Sequence, residues 1–112
     1  MTAARAVQVQ FTIDDAARGA AIAALLLEER LAACVQRVGP IRSRYRWDGA
    51  LEEAEEWLFL CKTTPAHVEA VIRRVAAAHP YDTPEVIATE VVGGLDRYLA
   101  WIDAETGSDR SA

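Results

Sequence analysis

Cysteine is scarce: among 112 residues there are only Cys34 and Cys61, and no Cys-x-x-Cys pair. A disulfide-stapled scaffold and a thiolate zinc cluster are therefore both excluded. Each cysteine sits in a run that reads as a buried strand, so reduced thiols packed as small hydrophobes are expected, with thiolate ligation the minor alternative. No stretch approaches the roughly 20 consecutive apolar residues of a membrane span, and Met1 to Arg5 lead straight into polar-apolar alternation without the apolar core of a signal peptide. Cytoplasm is the expected location. Basic charge is short as well, with 12 Lys and Arg against 17 Asp and Glu and a net charge of -5. That balance argues against general binding to nucleic acid or to an anionic membrane, whose phosphates need a basic surface. Gly (6) and Pro (4) are too few for a fibrous or disordered chain. A phosphate-binding glycine loop, a His-Glu-x-x-His zinc motif and a Gly-x-Ser-x-Gly elbow are all missing, so a binding protein is expected rather than an enzyme.

What is present suits one core, since a chain of this length lacks the material for two. Val7, Val9, Phe11 and Ile13 alternate with Gln8, Gln10 and Thr12, the period of a strand covered on one face. Asp14 or Asp15 can cap the Ala-rich segment that follows, where Ile22, Leu25 and Leu26 recur at helical spacing. This first helix is expected to end near Leu31. Cys34 to Trp47 reads as strand, with Gly39-Pro40 marking a bulge or bend. Asp48-Gly49 is a two-residue hairpin turn, and the return strand runs from Ala50 to Thr63. Its stretch Trp57 to Cys61 is apolar at every position, as in a central strand.

Thr64-Pro65 starts a second helix with the stripe Val68, Val71, Ile72 and Val75, which Pro80 halts after His79. An irregular loop, Tyr81-Asp82-Thr83, leads to a strand from Val86 to Val92. Leu95, Tyr98, Leu99 and Ile102 mark a C-terminal helix, and 107–112 a polar, disordered tail. The order is that of an α+β, ferredoxin-like split βαβ sandwich, βαββαβ plus a C-terminal helix, with helices on one face of an antiparallel sheet. Residues 1–106 form the single domain.

The hairpin strands, at about 14 residues each, exceed the usual five or six, and the helices are too short to shelter them, so part must project. Unbroken pairing from the turn sets Arg44 opposite Glu53 and Arg42 opposite Glu55 on one face, each pair contributing about 0.2 to 1 kcal/mol. Ile41, Ser43, Tyr45 and Trp47 occupy the other. Strand exchange between subunits would protect this edge. The alternative is a solvated hairpin whose Trp47 folds back on its own domain.

His79 closes a helix beside Tyr81, Asp82 and Glu85, and imidazole with carboxylate is a ligand set for Zn²⁺ or Cu²⁺. The same residue can instead sit against the helix C-terminus or in the core. His67 is expected to face solvent. Glu52, Glu53, Glu55 and Glu56 could attract cations or form a solvated, paired face. Neither cysteine has the base and orienting group that a nucleophile needs.

Five segments together resemble the CutA family of divalent-cation tolerance proteins: Glu29-Arg30-Leu31-Ala32-Ala33-Cys34-Val35, Tyr45-Arg46-Trp47-Asp48-Gly49, Glu55 through Lys62-Thr63, His79-Pro80-Tyr81-Asp82-Thr83-Pro84-Glu85, and Tyr98-Leu99-Ala100-Trp101. The resemblance spans nearly the whole chain. It implies a ferredoxin-like subunit in a homotrimer joined through long hairpins, cytoplasmic and linked to tolerance of copper and other divalent ions, without an established reaction. It also implies likeness to trimeric PII-type signalling proteins, and hence the alternative of a signalling or scaffold module that binds a small ligand or partner protein at subunit clefts. For metal, His79 and Glu85 are the candidates, with Cu²⁺ or another divalent cation as the ion. Family members described as copper binding carry a Cys in the first strand and a His or His pair before the Pro-Tyr motif; this chain has Phe11 at the first-strand position and Ala78 before His79, so His79 alone is kept. Tyr45, Trp47, Lys62, Tyr81, Asp82 and Trp101 are the candidates for a ligand or interface cleft.

Overall fold

The computed structural model describes residues 5–107. Alternation in the first segment produces β1 (Ala6–Ile13), in which Val7, Val9, Phe11 and Ile13 are buried. Asp15 then caps α1 (Ala16–Glu28), its carboxylate accepting from the backbone N–H groups of Ala17 and Arg18 at 3.0 and 3.2 Å. The helix stops at Glu28, short of the expected Leu31, because Arg30 takes a left-handed φ of 57° and the Leu31 N–H turns back to the Leu26 carbonyl. β2 (Cys34–Trp47) and β3 (Ala50–Thr63) form the long hairpin, with Asp48 and Gly49 both at positive φ in the turn. A turn of 3₁₀ helix (Pro65–His67) leads into α2 (Val68–Ala78), which buries Val71 and Val75. β4 (Val86–Val91) and α3 (Asp96–Glu105) complete the described chain. The expected 107–112 tail lies outside the described residues, apart from Gly107, whose N–H donates to the Arg30 carbonyl at 3.0 Å.

The four strands form one antiparallel sheet in the order β2-β3-β1-β4, so the apolar β3 is indeed interior. Helices α1 and α2 cover the face that carries Val9, Phe11, Phe59 and Cys61, forming the main core with Ile22, Leu26, Val71 and Val75. Burying each such side chain contributes about 1.5 to 3 kcal/mol. The third helix departs from that arrangement. Leu99 and Ile102 pack on Ala6, Ala33 and Val91, so α3 covers one end of the opposite, open face. Elsewhere on that face Leu58 and Leu60 of β3 are only half-buried.

Gly39-Pro40 slips the hairpin register: Trp47 to Ile41 pair with Ala50 to Glu56, but beyond the break Val38 pairs with Leu58 and Cys34 with Lys62. That single-residue slip sets Cys34 and Cys61 on opposite faces, where an unbroken register would have set them diagonally on one. Near the turn the two expected ion pairs become one shared carboxylate. Arg42 and Arg44 both reach Glu53, at 3.3 and 3.0 Å, although Glu55 stands directly opposite Arg42.

Candidate functional site

The loop between α2 and β4 gathers His79, Tyr81, Asp82 and Glu85 at the end of β1. His79 is 8% exposed. Its Nε2 lies 2.7 Å from the Thr12 carbonyl and its Nδ1 accepts the Tyr81 backbone N–H at 3.1 Å. The Tyr81 hydroxyl donates to Glu56 at 2.8 Å, and burial, followed by the Glu56 carboxylate, pushes that phenol well above the ordinary tyrosine range. Glu56 is buried although its neighbours Glu52, Glu53 and Glu55 are exposed. Its pairing with Ile41 past the end of β1 accounts for this: Trp57 is the last β3 residue opposite β1, and Tyr81 closes the space beyond. Sequence reasoning grouped Glu56 with a solvated run; its one legible signal is that it abuts the apolar stretch Trp57 to Cys61. Glu85, at the exposed rim, accepts from Gln10 Nε2 at 3.0 Å, and Asp82 is exposed.

Phe11, where the resemblance implies a thiolate, stacks on Phe59 at 5.0 Å and meets the His79 ring edge-on at 6.2 Å. The two positions therefore do adjoin, but as hydrocarbon against imidazole. Among the described residues no three His, Cys, Asp or Glu side chains are grouped to hold a metal ion. With both His79 nitrogens engaged and Glu85 bonded to Gln10, the donors of one chain do not make a ready-built divalent-cation site. His67, expected to face solvent, is half-buried, its Nδ1 2.8 Å from Thr64 Oγ1.

The remaining candidates lie on other parts of the molecule. Tyr45 and Trp47, 41% and 53% exposed, stand near the hairpin turn. Lys62 is at the other end of β3, its Nζ bonded to Gln36 Oε1 at 2.6 Å. Trp101 stacks on Tyr98 along α3 with centroids 5.6 Å apart. Burial, with Cys34 nearby, raises the Tyr98 phenol. Ala50, the partner of Trp47, and Lys62 are separated by roughly 40 Å of extended strand, so Trp47 and Lys62 cannot line one cleft within a single chain.

The CutA1 divalent ion tolerance protein family matches residues 7–105, nearly the whole described chain. The chain belongs to this family. The divalent-cation tolerance protein CutA of Pectobacterium atrosepticum is 41% identical over 99 residues, covering 88% of this chain and 90% of that protein. The chloroplastic CutA protein of Arabidopsis thaliana is 39% identical over 98 residues, which is 88% of this chain but 54% of that longer protein. In three dimensions, CutA from Xylella fastidiosa superposes with a TM-score of 0.89 at 41% identity, over 92% of this chain and 99% of its own. The ferredoxin-like CutA architecture is thus established. The family is named for a tolerance and not for a reaction. A chloroplastic relative also means that CutA proteins are not confined to the cytoplasm. No helix among the described residues is long and apolar enough to cross a membrane.

Proposed function

We propose that the protein is a cytoplasmic CutA homotrimer that acts in tolerance to divalent cations, copper among them, without catalysing a reaction. The observation that carries the assembly is the hairpin: a 14-residue edge strand, β2, ends in exposed Tyr45 and Trp47 on one face, with Leu51, opposite Arg46, 70% exposed on the other. An edge of that length with aromatic side chains invites pairing with another copy, and half-buried Leu58 and Leu60 offer the copy an apolar seat. Two unpaired cysteines suit a reducing compartment.

Cation binding comes from the family's name, and His79 with Glu85 are its candidate ligands. Either would have to surrender a hydrogen bond to reach an ion. That cost favours a second reading, a PII-like signalling or scaffold trimer whose subunit clefts, lined by Tyr45, Trp47, Lys62, Tyr81, Asp82 and Trp101, take a small ligand or a partner protein. Native mass spectrometry, as isolated and with near-stoichiometric Cu²⁺ or Zn²⁺, separates the two. A trimer that takes up ions in sets of three supports cation binding; a metal-free trimer with metal-independent partners supports the second reading; a monomer overturns both.

A further inference from the structure

We infer that His79 is a positioning residue: its neutral imidazole fastens the Pro80 to Glu85 loop to the end of β1 and does not ligate a divalent cation. This takes His79 out of the ligand pair named for the cation reading and leaves that reading to other donors; it stands on hydrogen bonding alone.

A backbone N–H can only donate, so the Tyr81 N–H at 3.1 Å fixes Nδ1 of His79 as an acceptor. A carbonyl can only accept, so the Thr12 oxygen at 2.7 Å fixes Nε2 as the protonated nitrogen. Coordination needs an unprotonated nitrogen with a lone pair to give. Nε2 carries the proton, and the Nδ1 lone pair is committed to the loop. The ring cannot turn away at no cost, because Phe11 and Tyr81 meet it edge-on at 6.2 and 4.5 Å and it is 8% exposed.

The fold supplies the reason for this arrangement. β4 ends its pairing with β1 at Phe11 opposite Val86, so Thr12 lies one residue past the last pair and is buried. His79, 67 residues away in sequence, donates to its carbonyl where the ladder has stopped. The same ring holds the Tyr81 backbone, which sets the phenol on Glu56.

Nitrogen-15 NMR of the histidine rings tests this directly, with His67→Gln leaving His79 as the only imidazole. The expected spectrum has the proton on Nε2 and ring signals unmoved by equimolar Zn²⁺. A proton on Nδ1, or a ring nitrogen shifted by Zn²⁺, overturns the inference. Two variants read the loop: Asn at position 79 keeps an acceptor at the δ position, whereas Gln keeps a donor at the ε position. Amide exchange at Tyr81 should be about tenfold faster in His79→Gln than in His79→Asn, the factor that one hydrogen bond is worth; equal rates overturn the inference. Cu²⁺ uptake in native mass spectra should be the same in His79→Asn as in the parent, and a loss overturns it. A parent chain that takes up no metal overturns the cation reading alone and agrees with this inference. Should the variants fold poorly, the ring spectra of the parent still decide.

Discussion

Phe11 and Phe59 lie parallel on neighbouring strands, 3° apart in plane, and Gly19 of α1 is buried against the Cε1–Cζ end of the Phe59 ring. A Cβ on residue 19 would come within 2.5 Å of Phe59 Cζ and 2.9 Å of Ile13 Cγ2. Alanine is the better helix former by about 1 kcal/mol, yet overpacking a close-fitted core costs about 1 to 3 kcal/mol. Gly19→Ala should therefore lower the urea midpoint at unchanged slope. A raised midpoint would show that α1 can ride outward without penalty.

Cys61 is fully buried beside Val9, and removal from water pushes its thiol up to about 12, with Lys62 opposing the rise. A thiol needs its thiolate to react. In a Cys34→Ser chain, Cys61 should resist Ellman's reagent at mildly alkaline pH until denaturant is added. Prompt labelling of the folded chain would mean that β3 opens readily.

The main lines of this fold are readable in the sequence because they are local. The β1 alternation, the Asp48-Gly49 turn and Pro80 each act within a few residues, and all three stand where expected. What escaped depends on partners far along the chain. Gly39-Pro40 announces a bulge but not which way the register slips, and the slip decides the faces of Cys34 and Cys61. Likewise, α3 shows an apolar stripe without saying which sheet face it covers; Ala6 and Val91 decide that. At the candidate site, His79 and Tyr81 were legible as neighbours of Pro80. Their partners Thr12 and Glu56 come from β1 and β3 and carry no motif.

Glu29 and Arg74 tie the end of α1 to α2 through a fork of contacts at 3.0 to 3.2 Å. Hydrogen bonding to Arg74 holds the Glu29 carboxyl below its ordinary 4.5. A carboxyl depressed in the folded state contributes stability above that ordinary value and loses it as pH falls through the lower folded value. Glu29→Gln should thus be slightly less stable than the parent at neutral pH, and the gap should close in acid and in high salt, because the pair is solvent-screened. Urea midpoints across pH check it; a gap that widens in acid would assign the loss to packing.

Trp47 stands half exposed beside the hairpin turn, where its own chain offers little to bury it, and Leu51 nearby is more exposed still. If a second copy covers this end, Trp47 is the kind of aromatic anchor whose truncation typically costs about 2 kcal/mol or more of association. Trp47→Ala should then shift the proposed trimer toward smaller species on dilution, by about thirtyfold or more in the dissociation constant, while each subunit keeps its circular dichroism. Light scattering over a concentration series reads the mass. An unchanged mass at every dilution, with a lowered melting temperature, would mean that the indole folds back on its own domain and that assembly rests on the β2 backbone edge instead.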